Sequence, residues 1–253
     1  MRSPETTQTR HILSFGAGVN TVALMVHLIN EEMPFDEAVF ADTGGELPET
    51  YDYLRIASEY LRRHGKKLTT VRSKSGALFE TCVRRKVVPS QLWRWSTRDY
   101  KITPIHAYYR SLGGHINEYM GIAYDEITRM KRSAEPYITT LFPLVDAKMT
   151  RVDCVRTIEE EGLPVPPKSG CYFCPFNNLE RWRQLAMVHP DLYRKAVRLE
   201  ERSKHFPKQS LVDHGIRKRL DVEGLRVLRH EFTKSQDSLP GPADAPCSGY
   251  CMT

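Results

Sequence analysis

The chain has 253 residues, of which 40% are hydrophobic and 27% charged, as in an ordinary globular protein of one or two domains. No stretch approaches the roughly 20 apolar residues of a membrane span, which excludes a helical membrane protein and a membrane partner. The N-terminal residues lack the apolar core of a secretory signal, so we expect a cytoplasmic protein. In that reducing compartment, the six cysteines suit metal binding or thiol chemistry better than disulfides.

Strands and helices are predicted to alternate over the first 162 residues. Strand candidates cover 11–15, 37–41, 67–73, 116–124 and 137–144, and helix candidates cover 20–31, a segment from Pro48 onward, 77–85 and 150–162. Thr150 is the expected N-cap of the last helix, with Asp153 at its third position and Gly162 as its stop. This alternation predicts an α/β fold in which a mostly parallel sheet lies between helices and ligands bind at the carboxyl ends of the strands.

The amino-acid composition of the sequence changes after residue 163. Three prolines precede Cys171, and helical, basic residues and a Pro/Gly-rich tail follow. We therefore predict two domains, a nucleotide-binding domain at 1–165 and a basic C-terminal region with four cysteines at 166–253.

Positive charge is concentrated in this second region. The formal net charge of the chain is +6, and residues 181–230 alone carry 13 basic and 6 acidic side chains. A basic face suits a polyanion such as tRNA or DNA, and we expect nucleic-acid contact through this basic block. Two solvated, Arg-rich helices are the alternative explanation.

A glycine-containing turn joins the first predicted strand to the first helix. Its backbone amides and the helix N-terminus are suited to bind phosphate, with Ser14, Asn20 and Thr21 as side-chain donors. The spacing matches neither Walker A nor Gly-x-Gly-x-x-Gly, and glycine turns are common in α/β proteins. The candidate nucleotide-binding residues of this loop are Ser14, Phe15, Gly16, Ala17, Gly18, Asn20 and Thr21.

Four of the cysteines form two closely spaced pairs. Cys171 and Cys174 make a CxxC, and Cys247 and Cys251 make a CxxxC. Two such pairs can provide four thiolates to Zn²⁺ or to an iron–sulfur cluster, whereas one pair alone would suit a redox dithiol. Cys82 and Cys154 fall on predicted helices among apolar neighbours and are expected to be small buried residues.

Six segments, in order, resemble the PP-loop superfamily of ATP pyrophosphatases and sulfonucleotide reductases. Besides the glycine loop, they are Phe40–Tyr51 (FADTGGELPETY), Arg94–Lys101 (RWSTRDYK), Gly121–Arg129, Phe142–Asp146 and Lys168–Pro175 (KSGCYFCP). The resemblance implies a five-stranded sheet of the adenine nucleotide alpha hydrolase type. Three positions depart from the family pattern: Asn20 replaces an acidic residue, Ser96 a cysteine and Ala123 an arginine.

The resemblance also implies roles for individual residues. The loop would hold the phosphates of ATP or of an adenylyl sulfate nucleotide, with Asp42 and Thr43 beside the nucleotide and Asp42 a candidate Mg²⁺ contact. Lys101, Arg129 and Arg132 would neutralise phosphate charge, and Asp42, Lys101 and Arg129 are the candidate catalytic residues.

For the cysteine site, relatives carry either a 4Fe–4S cluster or zinc. We favour the cluster, bound by Cys171, Cys174, Cys247 and Cys251, and keep structural Zn²⁺ as the alternative.

The predicted function is therefore that of an ATP-dependent adenylating enzyme. It would release AMP and pyrophosphate and transfer sulfur to a nucleic-acid or small-molecule acceptor. One alternative is a sulfonucleotide reductase, which would need Cys247 or Cys251 as a metal-free nucleophile. Another is a non-catalytic nucleotide- or nucleic-acid-binding module, and a homodimer stays open.

Overall fold

The structure, a computed structural model, describes residues 8–89 and 94–203. Five strands form one fully parallel sheet in the order β3-β2-β1-β4-β5, which confirms the predicted fold class for these residues. The strands are β1 (Thr9–Ser14), β2 (Glu37–Asp42), β3 (Lys67–Arg72), β4 (His115–Met120) and β5 (Ile138–Leu141). Because the order reverses between β1 and β4, a crevice is expected at their carboxyl ends.

Helices cover both faces of this sheet and also pack beside it. They are α1 (Val19–Asn30), α2 (Pro48–Arg63), α3 (Leu78–Arg85), α4 (Trp95–Thr97), α5 (Thr103–Leu112), α6 (Pro143–Asp146), α7 (Arg151–Glu160), α8 (Leu179–Val188) and α9 (Pro190–Ser203). A π-helical segment, Arg98–Ile102, joins α4 to α5, and a 3₁₀ segment, Tyr124–Arg129, follows β4. Within these ranges, no helix has both the length and the apolar character to cross a membrane.

The π-helical segment has a chemical cause in the sequence. Pro104 carries no N–H and cannot donate to the carbonyl of Tyr100, so an α-helical hydrogen bond is lost at this point. Single wide turns of this kind recur at functional sites. The segment contains Lys101, one of the predicted catalytic residues.

The sheet is buried on both sides because successive residues of a strand face opposite sides, and apolar residues occupy both. Leu13 and Phe40 face a core shared with α1, α2 and α7, whereas Ile12 and Ile116 face a core shared with α5. Helix α7 begins with the predicted capping box, in which Asp153 Oδ2 accepts from Thr150 N at 2.9 Å. Helices α1 and α7 pack together over the central strands.

A second core lies beside the sheet. Trp182 of α8 and Tyr193 of α9 are fully buried together with Phe173, against Cys82 of α3 and Tyr100 of the π-helical segment. The segment that follows the predicted boundary at residue 165 therefore shares a core with α3 and the π-helical segment. Cys247, Cys251 and the basic block beyond residue 203 lie outside the described residues.

Candidate nucleotide and sulfur site

The loop from Ser14 to Thr21, called here the phosphate loop, is held by its own backbone. Phe15 N donates to Val39 O at 2.9 Å, and Ala17 takes a left-handed φ of 54°. Gly18 caps α1, and Thr21 Oγ1 accepts from Gly18 N at 3.2 Å and donates to Gly18 O at 3.0 Å. The Thr21 hydroxyl is thus engaged in the cap, and the backbone amides at the start of a 12-residue helix form the candidate phosphate site.

Gly121 lets β4 end directly against the first turn of α1. A Cβ at this position would lie 2.6 Å from Thr21 Cγ2 and 2.9 Å from Thr21 Cα. Any side chain here would displace backbone, which gives the glycine of the predicted motif a steric role. The contact places the chain after β4 beside the phosphate loop.

A carboxylate from the 3₁₀ segment reaches the loop residue that departs from the family pattern. Asn20 Nδ2 donates to Glu126 Oε2 at 2.7 Å, and Arg129 Nη1 donates to the other oxygen of the same carboxylate. The loop therefore has an acidic group next to Asn20, supplied by a residue 106 positions away. Asn20 Oδ1 and Arg129 Nε are buried with no hydrogen-bond partner among the described residues, so both retain polar capacity for a ligand.

Asp42, at the carboxyl end of β2, already has four hydrogen bonds. Oδ1 accepts from Gly44 N at 2.8 Å and from the Tyr51 hydroxyl at 2.9 Å, and Oδ2 accepts two bonds from the Arg72 guanidinium. Burial and then the bond to Asp42 raise the pKa of Tyr51. A magnesium ion at Asp42 would have to displace one of these partners, and its predicted role as a metal contact stays a prediction.

Cys171 docks onto the loop after β2. It forms an antiparallel bridge with Glu46, and Tyr172 N donates to Gly45 O at 2.9 Å. A Cβ on Gly45 would lie 2.7 Å from the Phe173 ring, so the absence of a side chain at 45 permits this docking.

The Cys171 thiol lies against two polar groups. Its sulfur is 3.1 Å from Thr43 Oγ1 and 3.5 Å from Glu46 Oε1, to which the Thr43 hydroxyl also donates. Burial raises the pKa of the Cys171 thiol, the charge of Glu46 raises it further, and Lys101 opposes the shift. Glu46 was not among the predicted site residues, although it lies in the segment that resembles the family.

The two cysteines of the CxxC face one small pocket. Cys174 N donates to Cys171 O at 3.0 Å, which closes a tight turn. Both residues line a pocket of about 50 Å³, called here the cysteine pocket, together with Thr43, Thr97 and Lys101. Across the described ranges, no cluster of three or more His, Cys, Asp or Glu residues is arranged to hold a metal ion. The other two predicted ligands, Cys247 and Cys251, lie outside these ranges.

The segment before Cys171 also approaches the phosphate loop. Ser169 Oγ lies 3.1 Å from the position that a Cβ on Gly18 would occupy. The residues on either side of Gly170 therefore contact the phosphate loop and the loop after β2. A sulfur atom and a candidate phosphate site are brought to the same edge of the sheet.

A larger cavity of about 480 Å³, called here the cleft, opens over the carboxyl halves of β1, β4 and β5. Ser14, Lys101 and Arg132, all predicted site residues, line it. Lys101 and Thr97 line both the cleft and the cysteine pocket, so the two cavities meet at the π-helical segment. The predicted residues Asp42 and Arg129 do not line either cavity.

Glu118 on the floor of the cleft was missed by the sequence analysis. It is a buried carboxyl on β4, and the hydroxyl of Tyr109 donates to its Oε1 at 3.1 Å. Burial raises its pKa to about 7, against the smaller opposing effect of the Tyr109 hydrogen bond. The sequence did contain a signal: Glu118 is two residues after Ile116 and so faces the same side of a buried strand, where a charged residue is unusual.

The two remaining cysteines of the described ranges are fully buried. Cys82 packs in the second core and Cys154 in the core under α1. Burial raises the pKa of both thiols to about 12. This agrees with their predicted place as small buried residues.

No protein-family model and no curated protein matches the chain. Among solved structures, it is similar to phosphoadenylyl-sulfate reductase from Candida auris, with 16% identity, a TM-score of 0.47, and coverage of 64% of this chain and 78% of that chain. It is also similar to the U34-tRNA thiolase NcsA from Methanococcus maripaludis, solved with its 4Fe–4S cluster. That match has 15% identity, a TM-score of 0.42, and coverage of 81% of this chain and 75% of that chain.

Proposed function

We propose that this chain is an ATP-dependent adenylating enzyme that transfers sulfur to a nucleic-acid acceptor. The observation that carries the proposal is the position of Cys171. Its sulfur lies 3.1 Å from Thr43 Oγ1, and the preceding Ser169 lies against Gly18 of the phosphate loop. A sulfur ligand next to a phosphate site suits a reaction that activates an oxygen with ATP and then replaces it with sulfur.

The chain's own groups would bind and orient ATP in the first step. The amides of the phosphate loop and the N-terminus of α1 would hold the phosphates, and Lys101 would neutralise charge as it develops. An acceptor oxygen would attack the α-phosphorus, and the bond from that phosphorus to the bridging oxygen would break, releasing pyrophosphate. A sulfur nucleophile would then form the new carbon–sulfur bond and expel AMP.

The described cysteines fit a metal group in their donor chemistry. Cys171 and Cys174 lie on one tight turn and face one pocket, and thiolates are the ligands that iron–sulfur clusters and zinc share. Cys171 and Cys174, with Cys247 and Cys251 as the predicted other pair, would hold the group. A bound iron–sulfur cluster would supply sulfide-level sulfur, whereas zinc would be structural.

Nucleic acid is the acceptor class that the charge pattern favours. In α9, Arg194, Arg198 and Arg202 are exposed and recur every four residues, so they share one helix face. This is the described part of the predicted basic block. Positive side chains in a row of this kind suit a phosphate backbone.

The test is to incubate the anaerobically purified protein with ATP and bulk tRNA or DNA and to quantify AMP, pyrophosphate and sulfur in the polymer. We expect all three products, and Cys171→Ser should abolish sulfur incorporation. Cys82→Ser is the matched control, because Cys82 is buried and lines neither cavity. Release of ADP in place of AMP would overturn the proposal, and sulfite from an adenylyl sulfate would identify a reductase. Metal analysis of the same sample separates an iron–sulfur cluster from zinc.

A further inference from the structure

The floor of the cleft carries polar groups that the proposed adenylation does not use. Glu118 of β4 is in register with Thr140 of β5 and with Ile12 of β1. Adjacent strands lie about 4.8 Å apart, so the Glu118 and Thr140 side chains stand next to each other on one face. Towards the amino ends of β4 and β5 the same face is apolar, with Ile116 and Ile138 under α5.

The hydrogen bonds of these two residues define a donor and acceptor pattern. The Tyr109 hydroxyl donates to Oε1 of Glu118 at 3.1 Å, which presents the carboxyl as an acceptor. Thr140 Oγ1 accepts from Ser133 N at 2.9 Å, and its own proton can still be donated. At pH values above about 7, where the Glu118 carboxyl is ionised, the floor therefore offers a carboxylate with two acceptor oxygens beside one hydroxyl donor.

Guanine is the nucleobase whose edge complements this pattern. Its N1–H and N2–H groups are adjacent donors and its O6 is an acceptor, whereas adenine and cytosine each place one donor beside ring or carbonyl acceptors. Enzymes that flip a base out of its stack recognise it through hydrogen bonds to its Watson–Crick edge, which carries these groups. Ile105 and Met120, which also line the cleft, provide apolar surface for the base.

The rim of the cleft is basic. The exposed side chains of Arg98, Arg110 and Lys131 line it. Arg98 also pairs with Asp99 at 2.7 Å, and the Glu135 carboxylate lies 3.6 Å from His106 Nδ1. Cations at this position suit the phosphates that flank a nucleotide in a nucleic-acid strand. A base on the floor and phosphates at the rim would use both features.

We propose that the cleft binds a guanine base, with Glu118 accepting from N1–H and N2–H and Thr140 donating to O6. This inference rests on the proposed function in that the base belongs to the nucleic-acid acceptor, and it names what that acceptor presents. Lys101, which lines both cavities, would lie between the guanine and the cysteine pocket.

The test is calorimetric titration of the full chain with guanosine 5′-monophosphate while a non-hydrolysable ATP analogue saturates the phosphate loop. We expect guanosine monophosphate to bind and inosine monophosphate, which lacks the N2 amine, to bind about tenfold more weakly. Adenosine and cytidine monophosphates should bind at least about a hundredfold more weakly. Equal affinity for guanosine and adenosine monophosphates in the unaltered protein would overturn the inference.

Two variants separate the groups on the floor. Glu118→Gln should lose about a hundredfold in affinity for guanosine monophosphate and abolish its advantage over inosine monophosphate. Thr140→Val should lower the affinities for guanosine and inosine monophosphates equally, about tenfold, because both ligands carry O6. Thr140→Ser should restore both affinities. Glu37→Gln is the control, since Glu37 is also a buried, hydrogen-bonded carboxyl and flanks Ile12 from β2 as Glu118 does from β4, but it does not line the cleft. Retention of the guanine preference in Glu118→Gln would contradict the assignment.

These binding measurements are independent of turnover. Guanine binding without AMP formation would contradict the proposed reaction but support the guanine site. AMP formation without a preference for guanine would contradict the guanine site but support the reaction. If Glu118→Gln does not fold, the order of affinities in the unaltered protein still decides the question.

Discussion

The phosphate loop and the cleft lie at the same edge of one sheet but are built in different ways. The phosphate loop is a contiguous segment whose candidate binding groups are backbone amides, and its shape is fixed by a left-handed residue and a helix cap. The cleft is formed by residues from β1, β4, β5, α4, the π-helical segment, α5 and residues 131–135. A backbone site depends on local geometry, whereas a side-chain site depends on how distant segments converge. The two should therefore respond to different substitutions.

Lys101 lies where the cleft meets the cysteine pocket, and its removal should have the largest effect. Lys101→Ala should lower the rate of AMP formation about 100- to 1000-fold, because the proposed function assigns this cation the neutralisation of charge on the transferring phosphate. Arg98→Ala is the comparison, since Arg98 lines the cleft but not the cysteine pocket. Arg98→Ala should weaken the binding of guanosine monophosphate, and it should lower the rate of AMP formation less than Lys101→Ala does. Equal losses of rate in the two variants would show that Lys101 has no special place between the cavities.

Glu118, on the floor of the cleft, should make the free energy of unfolding depend on pH. Its pKa is raised from 4.5 to about 7 in the folded protein, so folding is favoured by this group below pH 4.5 and that contribution is lost as pH rises through about 7. At 1.36 kcal/mol per pKa unit, the change is up to about 3 kcal/mol.

Urea denaturation at pH 4 and pH 8 measures this contribution. The free energy of unfolding of Glu118→Gln, relative to the unaltered protein, should rise by up to about 3 kcal/mol between the two pH values. A constant difference across this range would mean that Glu118 titrates normally.

Gly121 tests the steric basis of the phosphate loop. Gly121→Ala should cost about 2 kcal/mol of unfolding free energy, because its Cβ would meet Thr21 backbone, and it should also weaken ATP binding. Gly65→Ala is the control: Gly65 has a φ of 68° but no atom within 4 Å of the added Cβ, so only about 1 kcal/mol of left-handed strain is expected. If the control costs as much as Gly121→Ala, close packing at Thr21 is not what Gly121 provides.

The smallest effect is expected from the cap of α7, which packs against α1. Thr150→Ala removes the capping box and should cost about 1 kcal/mol in urea denaturation. Because Thr150 lines neither cavity, affinities for ATP and guanosine monophosphate should be unchanged. A selective loss of ATP affinity would show that the phosphate loop depends on the packing of α7 as well as on its own turn.

Much of the fold follows from local patterns in the sequence. The predicted strand 37–41 is Glu37–Asp42, and the predicted helix 150–162 is Arg151–Glu160 with Thr150 as its cap. Alternation of apolar residues and capping signals report local backbone geometry and burial, which is why these boundaries agree closely. Helix α5 was not predicted, because Pro104 and the π-helical segment interrupt its pattern.

The sequence by itself determined the glycine loop, the CxxC turn and the family that they resemble. Only the tertiary structure decided that Glu126 reaches Asn20, that Lys101 lines two cavities and that Glu118 stands beside Thr140. The physical reason is the strand order, in which the chain after β3 crosses β2 and β1 to add β4 and β5 on the far side. Side chains from segments far apart in the chain then meet at one edge, and no local pattern records which of them will face each other.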